Sequence, residues 1–352
     1  MIKTPEQAIS ATGATTTPVP GPAAPQSGAV TAESDERPVN LARRFFNIKT
    51  GLSFLLGITI LVTLFRVTTI HPSEIWQQLQ QVDGRVYSLA VLSYVLTFPF
   101  RGLRWQRLLA NVGSSVPLAP LTEVIFISWF VNSVLPGKVG DIYRGYLLRR
   151  EYGLSLSRTI GTVVAERVVD LAGLITLLGV TGYFVLRNRV SPAMDQMLHL
   201  GWVALGLLLV GMIVAHRYGE RIMTVFPETV QSIYRRFAHG TFSSLKNLPL
   251  LACLTILAWA AEAGRLYFVM QALNVSLGPL VALFTVAAVS LALIVPTPGG
   301  LGGVEAAFAL VLTGFGVPVP LALAVALLDR LISFYSLVVC GFPAFLLTKR
   351  GR

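Results

Sequence analysis

The stretch LPGKVGDIYRG, residues 135–145, gathers polar chemistry inside a strongly apolar chain. Lys138, Asp141 and Arg144 stand around a break made by Pro136, Gly137 and Gly140. A helix restarting after such a break presents unpaired N–H groups and the positive end of its dipole, which favour an anion. Glycine lets a ligand approach that backbone closely. Asp141 stands where an N-cap residue is expected, and Lys138 adds a positive charge. A phosphate-type head group suits such a place. Two structural readings stand beside this one. The glycines build a simple kink, or Lys138 and Arg144 reach out to the membrane interface. A Walker phosphate loop fits poorly, because Val139 follows Gly137-Lys138 where Ser or Thr is needed.

A second set of ionisable residues lies within apolar runs. Glu166 is roughly 12 Å along a helix from Arg158 at the usual rise per residue, well inside a hydrocarbon layer. Arg167 and Asp170, three apart, share a helix face and are expected to pair. Asp329 and Arg330 lie similarly deep in the last apolar run. Charges at that depth are costly and point by default to function, with Glu166 or Asp329 as a proton carrier. The competing reading is a structural ion pair locking helices together.

The elements that position these residues follow from composition. The 352 residues are 54% hydrophobic and 13% charged, more apolar surface than a soluble chain of this length hides. Runs of about 20 apolar residues recur, and they lack the alternation of barrel strands. The expected fold is therefore an all-α polytopic membrane protein. The net charge of +11 invites a nucleic-acid reading, but the basic residues sit between apolar runs, where they set topology. Cys253 and Cys340 lie in apolar runs, and the four histidines show no metal-ligand spacing.

Residues 1–45 read as a disordered cytoplasmic tail without the apolar core of a signal peptide. Helices are expected over 51–65, from 86 to an arginine-marked cytoplasmic end at Arg101, Arg104 and Arg107, over 159–186, 200–214, 250–270 and 319–347. PSEIWQQLQQVDG reads as an outer amphipathic segment, and 216–248 as a cytoplasmic interfacial loop. Two shorter apolar runs are broken by Pro-Gly motifs, near 118–150 and 280–316. Each reads as a re-entrant hairpin, the first entering from the cytoplasm and the second from outside.

The two halves match in register. Gly102 and Gly264, Pro117 and Pro279, Pro136 and Pro298, Gly137 and Gly299, and Gly140 and Gly302 share an offset of 162, while Glu166-Arg167 and Asp329-Arg330 differ by 163. Residues 46–196 and 197–352 thus form an inverted repeat with two broken hairpins. That is the common build of secondary transporters, with the site where the repeats meet.

LPGKVGDIYRGYLLRREYGLSLSRTIGTVVAERVVDL and PTPGGLGGVEAAFALVLTGFGVPVPLALAVALLDRLISFYSL resemble the two signature regions of the lysylphosphatidylglycerol synthase transmembrane family, the flippase-like membrane proteins. The resemblance covers most of the chain from about residue 45. It implies roles for Lys138, Asp141 and Arg144, then for Glu166, Arg167 and Asp170, and in the second signature for Gly299, Gly300, Gly302, Glu305 and Arg330. Asp329 departs from the pattern, standing where an apolar or aromatic residue is expected. The chain reaches Arg352 without the soluble aminoacyl-transfer domain of the bifunctional synthase, so synthase activity is not expected.

The resemblance and the residues together imply a lipid transporter of the bacterial inner membrane with both termini cytoplasmic. It would move a lipid with a polar or anionic head group between leaflets, passively, coupled to an ion, or driven by a partner. The alternatives are a non-catalytic membrane partner of a lipid-modifying enzyme and an intramembrane transferase. No HExxH or GxSxG motif supports the transferase, so the chain is not expected to be an enzyme. The expected partners are a membrane lipid and a lipid-biosynthesis enzyme. No cofactor and no nucleic acid is expected, and no oligomeric state follows from the sequence.

Overall fold

In the computed structural model the described residues are 72–135, 138–186, 192–292 and 297–350, with scattered helical positions between 52 and 66. They fall within one compact unit, residues 41–352. The tail expected over 1–45 lies outside the described residues, and the helix expected over 51–65 is described only at those scattered positions.

Every regular element among the described residues is helical. Helix α1 (Pro72–Leu79) opens on proline, carries Glu74 in its first turn, and buries Ile75. Asp83 caps α2 (Gly84–Asn111), its carboxylate accepting from the N–H groups of Arg85 at 2.8 Å and Val86 at 3.3 Å. The first hairpin is α3 (Leu118–Val134) and α4 (Val139–Tyr152). Gly153, left-handed with φ 64, ends α4 by donating its N–H to the Arg149 carbonyl. Then come α5 (Leu156–Leu186) and α6 (Pro192–Met223).

The segment 216–248, expected to be an interfacial loop, is instead mostly helical. Helix α6 runs on to Met223, and α7 (Glu228–Phe242) follows Pro227 and packs along α5. Glycines permit the contact. A Cβ on Gly161 would strike the Phe237 carbonyl, and one on Gly240 the Arg158 carbonyl. Gly161→Ala or Gly240→Ala is therefore expected to cost about 1–3 kcal/mol, because backbone cannot yield as a side chain does. The check is thermal melting of purified protein, with Gly206→Ala, which meets nothing, as the neutral control.

Among the described helices, α8 (Leu248–Ala272) makes its most extensive contact against α2. The second hairpin is α9 (Pro279–Ala292), a 3-10 turn at Pro298–Gly300, and α10 (Gly303–Gly314). The last span is not one regular helix. It is α11 (Val319–Arg330), a π-helical turn at Leu331–Tyr335, and α12 (Ser336–Arg350).

Five of these stretches are long and apolar enough to cross a membrane: Gly84–Asn111, Leu156–Val185, Gly201–Met223, Leu248–Ala272 and Val319–Thr348. Helices α3 and α9 are apolar but shorter. At 1.5 Å per residue they reach about 26 and 21 Å, less than the roughly 30 Å of hydrocarbon.

The two sequence repeats are interleaved. Their equivalent helices α2 and α8 pack together. The first hairpin lays α3 on α12, and the second lays α9 on α5, so each leans on the long helix of the other half. Helix α3 also meets the 3-10 turn of the second hairpin.

Candidate functional site

A buried chain of ion pairs runs between these helices. Arg104, with a fully buried side chain, extends from α2 to α5. Its guanidinium lies 2.9 Å from Glu166 and 2.7 Å from Asp170, and it donates to the Thr255 hydroxyl of α8 at 3.0 Å. One planar fork thus ties three helices. Arg101, one turn back, meets Asp170 at 3.4 Å and Glu262 at 3.7 Å. Glu262 continues to Arg265 at 3.0 Å, and Arg265 pairs with Asp329 of α11. Arg144 of α4 pairs with Glu166 at 2.6 Å.

Aromatic rings back the cations. Arg144 lies over Trp105 at 4.7 Å, Arg101 over Trp129 at 4.8 Å, and Arg330 over Phe334 at 4.5 Å. An ammonium or guanidinium over a ring face gains from the ring quadrupole where water is excluded.

Each hairpin is held by one further pair. Arg167 donates through Nε and Nη2 to Asp141, at 2.8 and 2.7 Å. Arg330 donates through Nε to Glu305 at 3.0 Å. The halves carry comparable ion pairs, though not all at positions matched by the sequence offset. Arg104–Glu166 answers to Arg265–Asp329, and Arg167–Asp141 to Arg330–Glu305. Exposure separates the two latches. The Arg167 and Asp141 side chains are 34% and 14% exposed, against 6% and 6% for Arg330 and Glu305.

The expected pair of Arg167 and Asp170 forms at 3.7 Å, while Asp141 takes the same guanidinium in a shorter two-point contact. Other expectations are corrected here. Asp141 is not an N-cap. It sits in the first turn of α4, where Lys138, left-handed at φ 53 with its side chain exposed, holds the cap position. The Gly140 N–H is taken by the Asn132 side chain at 2.8 Å, and Asn132 also donates to Asp141. A Cβ on Gly140 would strike the Ser128 carbonyl, so this glycine serves the approach of α3 to α4. In the second hairpin the Gly302 N–H donates to Glu305 at 2.7 Å. Both restarted helices therefore use a side chain of their own hairpin for an N–H that the sequence offered to an anion. Arg101 and Arg104 do not mark a helix end; they belong to the ionic chain, while Arg107 is exposed.

The remaining expected site residues divide clearly. Glu166, Asp170, Asp329 and Arg144 join the ionic chain. Gly299 and Gly300, both at positive φ, form the tip of the second hairpin, with Gly299 pressed against Phe334 of the π turn. Gly137 and its neighbour Pro136 lie outside the described residues. Glu262, Arg265, Asn132 and Thr255 were missed from the sequence. Glu262 and Arg265 carried a usable signal, an acid and an arginine three apart in an apolar run, the same pattern that marked Arg167 and Asp170.

Comparison with known proteins agrees with this architecture. A family model described as the lysylphosphatidylglycerol synthase TM region matches residues 51–341. A UPF0104 membrane protein of Methanocaldococcus jannaschii is 34% identical over 224 residues, which is 63% of this chain and 95% of its own. A UPF0104 membrane protein of Methanothermobacter thermautotrophicus is 25% identical over 314 residues, 82% of this chain and 91% of its own. Glycosyltransferase AglD of Haloferax volcanii is 26% identical over 330 residues, covering 82% of this chain but 53% of AglD.

Proposed function

The chain belongs to the lysylphosphatidylglycerol synthase TM-region family of membrane proteins, and from that premise we propose that it moves a lipid with a polar or anionic head group between leaflets. The observation that carries this reading is the pair of equivalent hairpin latches with unequal exposure. Arg167–Asp141 is reachable from outside the protein and Arg330–Glu305 is sealed. A transporter built from two repeats exposes its site to one side at a time. Lys138 and Arg167 put positive charge at the reachable latch, which suits an anionic head group while acyl chains remain in lipid. In this reading Lys138, Asp141, Arg144 and Arg167, with Glu166 and Asp170 behind them, bind the head group. Glu305, Asp329 and Arg330, with the glycine turn at Gly299, Gly300 and Gly302, serve the opposite state.

The orientation rests on basic residues outside the ionic chain. Arg149, Arg150, Arg158, Arg217, Arg221, Arg235 and Arg236 cluster at the end of α4, the start of α5, the end of α6 and on α7, which argues for a cytoplasmic side there. Both termini are assigned to that same side.

The test is lipid movement in proteoliposomes, followed by quenching of outer-leaflet fluorescent lipid, together with mass spectrometry of lipids retained on purification. Wild type is expected to speed exchange and to enrich one lipid class. Arg167→Ala is expected to slow exchange at least about tenfold, since a charge-assisted bidentate contact is worth more than 1.4 kcal/mol. Absence of exchange for every lipid tried, with and without a pH gradient, would sink the proposal.

The match to about half of AglD favours one second reading, a membrane partner for a lipid-modifying enzyme. It expects conservative changes at Arg167 and Arg330 to leave function intact, whereas changes on outward faces of the helices abolish it.

A further inference from the structure

A groove of about 740 Å³ lies between α2, α3 and the last span, and its lining begins at Leu331, next in sequence to Arg330. Its volume is that of a ligand pocket. Two of its walls, Gly84–Asn111 and Val319–Thr348, are membrane-spanning by length and composition, so the groove opens onto hydrocarbon rather than water.

The walls run in the same direction. The Tyr87 hydroxyl donates to the Leu328 carbonyl and the Tyr94 hydroxyl to the Ser333 carbonyl, so both helices advance together. Those bonds mark one end, lined by Leu331, Ile332 and Tyr335 of the π turn. From Tyr87 to Pro99 the groove follows α2 for roughly 18 Å. That is close to half of the roughly 30 Å hydrocarbon thickness, the reach of the chains of one leaflet.

Tyrosine and serine hydroxyls line the π-turn end, and the charge lies at the other. Glu123 of α3 is exposed there, the one charged residue among the lining residues, and it accepts from the Thr348 hydroxyl at 3.2 Å. A carboxylate at the mouth of a hydrocarbon slot repels a purely anionic head group and attracts one that donates hydrogen bonds.

We propose that this groove binds one membrane lipid, with a hydrocarbon chain along α2 and the last span and a hydrogen-bond-donating head group at Glu123. The groove borders the ionic chain at Tyr94, whose ring faces Arg265 at 5.7 Å, and the proposal stands whether or not the protein moves lipids. It differs from ordinary lipid-facing surface in having walls on both sides of the chain and a charged group that selects the head.

The chain carries its own reporters. Cys340 lines the groove, roughly 12 Å along the helix from Thr348, and Cys253 is exposed on α8 outside it. The experiment measures alkylation of each thiol by a membrane-soluble maleimide in proteoliposomes. One set contains phosphatidylcholine alone, whose head group lacks a donor, and the other adds phosphatidylethanolamine, whose ammonium donates. Cys253→Ser and Cys340→Ser assign the two rates.

Phosphatidylethanolamine is expected to slow Cys340 about tenfold and leave Cys253 unchanged, the size of one charge-assisted hydrogen bond. Glu123→Gln is expected to remove the difference. Val339→Trp, at an exposed groove residue, fills the slot and is expected to remove it without touching Glu123. Equal Cys340 rates in both membranes, or a slowing that survives Glu123→Gln, would overturn the proposal. Failed lipid exchange with preserved Cys340 protection would overturn only the transport reading.

Discussion

Arg104→Met is expected to be strongly destabilising. The arginine side chain is fully buried and satisfies Glu166, Asp170 and the Thr255 hydroxyl together. Methionine fills a similar space but leaves those two carboxylates short of their shared cation. Removing one partner from a buried ion pair costs about 3–5 kcal/mol, and because Glu166 keeps Arg144 and Asp170 keeps Arg101 the loss is expected towards the lower end. That is a large part of the roughly 5–15 kcal/mol by which a folded domain exceeds its unfolded state. Arg104→Lys is expected to recover only part of the loss, since a single ammonium does not reproduce the fork that reaches two carboxylates at once. Arg107→Met, three residues on and exposed, is the control and is expected to stay within about 0.5 kcal/mol of wild type. Thermal melting of the three variants in one detergent decides the matter. Equal melting of Arg104→Met and Arg107→Met would mean that the ionic chain does not hold α2, α5 and α8 together.

The second large effect is expected at the sealed latch. Glu305 has two tasks, accepting the Gly302 N–H at 2.7 Å and pairing with Arg330 at 3.0 Å. Glu305→Gln keeps an acceptor for the N–H but strands the Arg330 guanidinium, again at about 3–5 kcal/mol. Arg330→Gln is expected to cost a similar amount by stranding the carboxylate. The double variant Glu305→Gln/Arg330→Gln removes both charges and is expected to be more stable than either single variant. The coupling should fall within the usual range of about 0.5–3 kcal/mol for residues in contact.

The equivalent change at the open latch, Asp141→Asn, is expected to cost less, because Arg167 is 34% exposed and solvent screens what it loses. Lipid exchange separates structure from function. If the latches take part in transport, the double variant regains stability yet stays slow. A double variant that regains both would assign the Arg330–Glu305 pair to the fold alone.

The part of this protein written in local sequence is considerable. Apolar runs of spanning length produce helices because lipid leaves the backbone no other partner, and α2, α5, α8 and the last span lie close to where those runs predict. Helices α3 and α4, and α9 and α10, are separated at the two Pro-Gly motifs, where Lys138, Gly299, Gly300 and Gly302 take positive φ that does not continue a helix. The offset of 162 matched the glycines and prolines of the two halves, and 163 matched Glu166-Arg167 with Asp329-Arg330. These are short-range properties, decided within a turn or two of each residue.

What the tertiary structure decided is which charge meets which. Arg167 has Glu166 and Asp170 close by in sequence, yet its shortest contacts go to Asp141, 26 residues away, because α4 folds back on α5. Arg101 and Arg104 look like any arginines ending a span, and Glu262 with Arg265 looks incidental. Packing of α2 on α8, helices about 160 residues apart, makes all four one buried network. An arginine at a wet helix end and an arginine sealed among carboxylates have the same letter and the same neighbours in sequence. Burial alone separates them, and burial is set by how distant helices approach.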